Sequence, residues 1–288
     1  MEHSEGTYLY IFLTSAFNAY NPLAVLTLLF LFFARFLPII ALSPFFGARV
    51  LPHPVKVAFA LSIFVIFLPQ LLTVTTTPIP FDIHAALLIC KELFVGTLLG
   101  FMISIPFVIV QNAGIIIDHQ RGGASLMIND PTVQNQSSPL GTLFNFVLIY
   151  IFFMIDGPFL FLNAIVTSYE VVPPDKFLNP HLFDKNSNLW EMMIKLFNQV
   201  MIISVQLAAP GLLAILMTDV FLGIANRLAP QVQITFLGMP LKSLLALAVV
   251  CFGWKLFSEE LVRQCYKWLD SIRDILMMIT SSNPIPTH

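Results

Sequence analysis

Charge is what this chain has least of. Only 10% of its 288 residues are Asp, Glu, Lys or Arg, where an average soluble protein carries roughly 25%. So few charges cannot cover the surface of a water-soluble fold of this size, which excludes that class. The 14 cations and 16 anions leave a formal charge of −2, so no bulk attraction to nucleic acid is expected. Cysteine is scarce as well. Cys90, Cys251 and Cys265 show no C-x-x-C spacing, which leaves packing in apolar or helical surroundings as their role. His3, His53, His84, His119, His181 and His288 form no H-x-x-x-H or H-E-x-x-H pair, so no metal site is expected. No P-loop and no local nucleophile–base pair occurs, so the reading is of no catalytic residue, no cofactor and no enzyme. Glu2 and Glu5 stand where a signal peptide would be basic, so no cleavable leader is expected.

What is abundant is apolar sequence: 57% of the chain, with a mean hydropathy of +0.85. The fold class is all-α, a polytopic membrane protein. Runs at 23–46, 57–72, 83–110, 140–169, 196–219 and 237–257 approach or exceed the roughly 20 residues that a spanning helix needs. Several are interrupted. Asn21-Pro22 reads as a helix start. Arg35 and Pro38 interrupt the first run, Asp156-Gly157-Pro158 breaks the fourth and Pro210-Gly211 bends the fifth. Basic residues at 49–56, near Arg121 and at 227–242 alternate with poorly basic loops and put the N-terminus outside. Six ordinary crossings would put the C-terminus outside too, yet the tail carries Lys255, Arg263, Lys267 and Arg273. The conflict points to bent helical hairpins that do not all cross. Residues 1–257 read as one membrane domain. Residues 258–288 read as an amphipathic helix and tail, because Phe257, Leu261, Cys265, Trp268, Ile272 and Ile275 recur at helical spacing.

Charges inside the runs carry the most information. Arg35 costs at least a few kcal/mol within a bilayer unless it snorkels or finds a partner. Snorkelling to an interface and an inter-subunit or pore-facing contact are both open. Lys91 and Glu92 are adjacent and do not face each other on a helix, so each calls for its own partner or an interface. Gly96 and Gly100 form a G-x-x-x-G pair that admits another helix closely. Asp118, Asp156 and Asp219 sit in or beside apolar runs, where carboxylates mark ion pathways or cap helix ends.

The polar middle, residues 111–141, organises the chain. Gly114, Gly122, Gly123, Pro131 and Pro139 favour non-helical backbone there. Irregular backbone at membrane depth must be covered by protein or line a watery cavity. Ile115, Ile116 and Ile117 could form a constriction that gates by dewetting. Asp118 and Arg121 are three apart and could pair across one turn. A second polar interruption runs from Asn226 through Pro230 and Gln231 to Gln233. The segment from Arg227 to Lys242 reads as a structured, inward-packed turn.

Several stretches resemble the SctT/FliR family of the type III secretion export apparatus, over roughly residues 31–257. They are Ala34-Arg35 with Pro38, Pro44, Gly47, Pro54 and Lys56, then Ala113-Gly114 with Asp118, Gln120, Gly122 and Asp130-Pro131, then Asp156-Gly157. Last come Ala209-Pro210, Asp219, Gly223 and Arg227, running into Pro230-Gln231, Gly238, Pro240 and Lys242. One departure is Gln233, where the family usually places asparagine. The resemblance implies a non-enzymatic export-gate subunit of the bacterial inner membrane, on the injectisome rather than the flagellar branch. It implies assembly with SctR/FliP-type and SctS/FliQ-type subunits, an SctU/FlhB-type switch protein, membrane lipid, and unfolded secreted proteins in transit. It implies that the region from Gly114 to Gly123, including Gln120 and Arg121, plugs the closed pore. Arg35, Gly96, Gly100, Asp219, Arg227, Pro230, Gln231 and Lys242 are read as packing or assembly residues. A stand-alone secondary transporter using Asp118 and Asp219 is the alternative, though the repeat-related broken helices it needs are not found.

Overall fold

The structure is a computed structural model that describes residues 22–46, 52–75, 79, 82–122, 138–177, 188–228, 234–255, 257–264 and 268. Their regular secondary structure is entirely helical: α1 (Pro22–Leu42), α2 (His53–Val74), α3 (Ile83–Gln120), α4 (Pro139–Met154), α5 (Gly157–Val171), α6 (Asn188–Leu228) and α7 (Ile234–Phe252). A short helix, α8 (Phe257–Gln264), follows. Among the described residues, four helices are long and apolar enough to cross a membrane, or up to six spans if each bent pair counts as one.

The helices run further than the apolar runs suggest. Prolines 38, 69, 106, 210 and 240 all lie inside helices. Neither Pro38 nor Pro210 ends one. Without water to solvate a freed carbonyl, carrying the helix through a proline is less costly than opening its backbone. The third helix likewise does not stop at Val110 but continues to Gln120. At 38 residues it is about 57 Å long, nearly twice the roughly 30 Å hydrocarbon core. The 41-residue α6 is longer still. The expected break at Asp156 is present: Asp156 adopts φ 56°, ends the α4 direction and starts α5. Its side chain makes no capping bond.

The chain divides into two compact units. One comprises residues 1–104, 156–190 and 269–288, the other 105–155 and 191–268. In the first, α1 and α2 pack antiparallel through phenylalanines. Phe32 lies against Phe64, Phe67 and the stacked Tyr169 ring, and Phe36 against Phe59. The α1 and α3 backbones almost touch. A Cβ placed on Gly96 would lie 2.2 Å from the Arg35 carbonyl oxygen, and one on Gly100 would lie 3.0 Å from Ile39 Cα. The G-x-x-x-G pair is thus used within the chain, between helices that run parallel.

In the second unit α3 and α4 form an antiparallel pair of equal closeness. A Cβ on Gly114 would lie 2.4 Å from the Gly141 backbone, and Phe107 meets Phe152 edge-on. Gly211 of α6 faces Ile117, and Gly238 of α7 faces Leu222.

Candidate functional site

Two buried polar knots stand out, one in each unit. The first is built on Arg35, which is fully buried. Its Nε and Nη2 donate to the two oxygens of Glu92, the second at 2.8 Å. Nη2 also donates to the Val172 carbonyl at 2.7 Å. Nη1 donates to the Ser168 carbonyl at 2.9 Å and the Ser168 hydroxyl at 3.2 Å. These bonds use all of the guanidinium's donor nitrogens. The Tyr169 ring lies 4.0 Å from the guanidinium carbon, a favourable cation–π placement.

Lys91 completes this knot. Its ammonium donates to the carbonyls of Pro173, Pro174 and Lys176 at 2.9, 3.2 and 3.0 Å and pairs with Glu92 at 2.7 Å. The arrangement follows from the end of α5. The last carbonyls of a helix have no internal partners and carry the negative end of its dipole. The helix ends at Val171, before Pro173-Pro174; Arg35 donates to the Ser168 and Val172 carbonyls at that end, and Lys91 to the Pro173, Pro174 and Lys176 carbonyls just beyond it. Glu92 balances one of those charges.

This corrects two expectations. Arg35 neither snorkels nor waits for another subunit, because the chain supplies all of its partners. Lys91 and Glu92, though adjacent, do pair, and both are buried within the chain. The rule against neighbours facing each other concerns Cβ directions, and a four-carbon lysine stem is long enough to bend round.

The second knot centres on Asp118, 1% exposed. Its Oδ1 accepts from Arg121 Nε at 2.7 Å, and Arg121 Nη2 lies 2.7 Å from the same oxygen. Its Oδ2 accepts from the Ser138 hydroxyl and, at 2.9 Å, from the Leu140 N–H. Ser138 caps α4, its own hydroxyl accepting from Gly141 N–H at 2.9 Å. Thus the N-terminus of α4 has two caps, one from its own cap residue and one reaching across from α3. A carboxylate there also opposes the positive end of the helix dipole.

The polar middle is therefore not irregular where it begins. Gly114, Ile115, Ile116, Ile117, Asp118, His119 and Gln120 are all helical. Gly114 supplies closeness to Gly141 and no turn. Ile117 is buried, facing Gly211, and borders a cavity of about 250 Å³ with Leu207, Pro210, Val250 and Phe257. Ile115 and Ile116 are half-buried, while His119 and Gln120 are exposed. The helix ends at Arg121 and Gly122, and among the described glycines Gly122 alone takes positive φ, 90°. Gly123 lies outside the described residues.

Across the second interruption Asp219 of α6 pairs with Lys242 of α7, so two residues 23 apart in sequence are brought together. Arg227 is exposed near the end of α6. Pro230 and Gln231 lie outside the described residues. From Ile234 the segment is helix, not the packed turn expected up to Lys242. Lys242 and Asp219 are 24% and 38% exposed. Asp219→Asn is accordingly expected to cost only about 1 kcal/mol, read as a small loss of stability in detergent denaturation.

Sequence reasoning missed Glu92, Ser138 and Ser168 as members of these knots. An N-cap serine before Pro139 is a readable signal for Ser138. Nothing local marks Ser168.

Comparison with known proteins adds independent information. A family model described as bacterial export proteins, family 1, matches residues 26–267. The Yop proteins translocation protein T of Yersinia pestis is 37% identical over 176 residues, covering 60% of this chain and 65% of that protein. The surface presentation of antigens protein SpaR of Shigella flexneri is 33% identical over 167 residues, 58% of this chain and 62% of that protein. The flagellar biosynthetic protein FliR of Pectobacterium carotovorum is 26% identical over 271 residues, 92% and 99% of the two chains. The match to the first two thus spans less than two thirds of their length.

Proposed function

This chain belongs to the bacterial export proteins, family 1, a family of export proteins rather than of enzymes, and from that premise we propose that it is a subunit of a type III secretion export apparatus in the bacterial inner membrane. The observation that carries the proposal is the family match across residues 26–267 together with the injectisome relative at 37% identity. In this reading the subunit joins SctR/FliP-type and SctS/FliQ-type partners, meets an SctU/FlhB-type switch protein, and helps form a conduit for unfolded secreted proteins. The exposed apolar side chains of α6, among them Phe197, Met217 and Phe221, are available to lipid or to such neighbours. A flagellar counterpart is the second reading, favoured by the near-complete coverage of the FliR relative. The secondary-transporter reading loses support, because Asp118 and Asp219 are each held by a cation.

The segment from Gly114 to Gly123 is proposed to help close the resting pore. Its helical part serves as a fixed stem, and the half-buried Ile115 and Ile116 contribute the apolar surface that excludes water. The assignment is tested by complementation. A bacterium lacking its own injectisome subunit of this type should regain secretion when given this gene, and one lacking the flagellar subunit should not. Restored motility without secretion would move the assignment to the flagellar branch. The closure role is tested by Ile115→Asn with Ile116→Asn in cells carrying all partner subunits. The complex should assemble, and small-ion leak should rise severalfold. An assembled complex as tight as the parent would place closure elsewhere.

A further inference from the structure

We propose that Asp118 is a clasp, a single carboxylate that ties the end of α3 and the start of α4 to one point and so sets the positions at which the intervening segment leaves and returns. One oxygen holds Arg121 on the departing side. The other holds the Ser138 hydroxyl and the Leu140 N–H on the returning side. Gly114 and Gly141 bring the two backbones together one turn further into the unit.

The chemistry suits a fixed junction. A carboxylate accepts on both oxygens at once and has no donor to misalign, whereas an amide offers one acceptor and one donor face. Burial makes the arrangement obligatory, since an unpaired charge in such a place is costly. Its partners among the described residues belong to the two helix ends. Arg121 follows Asp118 by less than one turn, and Ser138 and Leu140 flank the first residue of α4. Asp118 is thus a positioning residue. Its consequence for pore closure rests on the export-gate reading, but its mechanical role does not.

The test separates the two. Spin labels are placed on the exposed Gln120 and Thr142 by cysteine substitution, with Cys90, Cys251 and Cys265 changed to serine, in the assembled complex. A control pair uses the exposed Tyr150 and Met201 of the same unit. In Asp118→Asn the Gln120–Thr142 distance distribution should at least double in width while the control pair stays as narrow as in the parent. Equal broadening of both pairs, or no broadening at the clasp, overturns the proposal. Where Asp118→Asn does not assemble, Ser138→Ala removes one strand of the clasp and gives the same readout. Ion leak is measured on the same samples. Broadening with severalfold leak supports the clasp and its part in closure. Broadening without leak leaves the clasp standing and overturns the closure role of the segment.

Discussion

Glu92→Ala is expected to destabilise this protein by about 3–5 kcal/mol, the usual cost of removing one partner of a buried ion pair. Glu92 pairs with both Arg35 and Lys91, and all three side chains are buried. Its removal leaves two cations at the end of α5 without that countercharge. Glu92→Gln should be nearly as severe, because its amide nitrogen would be turned toward a donor of Arg35 or Lys91. The double variant Arg35→Met, Glu92→Met should recover part of the loss, since a buried pair replaced whole by apolar groups is often neutral. Recovery will stay incomplete. The Val172 carbonyl would lose the donor that Arg35 supplies, while the Ser168 carbonyl keeps the Val172 N–H. Denaturant unfolding of the purified protein in detergent measures all three. A Glu92→Ala protein as stable as the parent would mean that the knot is not a source of stability.

Gly96→Ala is expected to be the next most damaging change, at about 1–3 kcal/mol or more. The added methyl would sit 2.2 Å from the Arg35 carbonyl oxygen and 2.8 Å from Arg35 Cα. Both are backbone atoms of α1 and cannot swing aside as a side chain would. The two helices must separate, and that carries Arg35 away from Glu92, one helical turn below Gly96. Packing and charge are thus coupled at this point. Gly96→Ala and Glu92→Ala should therefore be less than additive when combined, because each already disrupts the same contact. Gly100→Ala should cost less, its nearest contacts being at 3.0 Å. Additivity of the first pair within about 0.5 kcal/mol would show that the glycine and the ion pair act separately.

Much of the candidate site is legible in the order and spacing of the residues. The Asp118–Arg121 pair follows from three-residue spacing on a helix, and the structure has it. Close helix approach at Gly96 and Gly100 follows from their lack of side chains. The break at Asp156-Gly157-Pro158 follows from backbone chemistry. The extent of helix through the polar middle is not legible in the same way. Gly114 reads as a turn residue because glycine is usually spared in helices for entropic reasons. Here it is retained because the Gly141 backbone needs its space.

The sequence by itself determined the class of this protein, its helical make-up and the family to which it belongs. Composition, apolar period and the order of short motifs are local quantities, summed along the chain. Only the tertiary structure decided where the charges go. Arg35 meets Glu92 across 57 positions and Ser168 across 133, and Asp118 reaches Leu140 across 22. No local rule spans such separations. The partners are selected by burial, because a charge or helix end removed from water must find its complement wherever the packed helices bring one within reach.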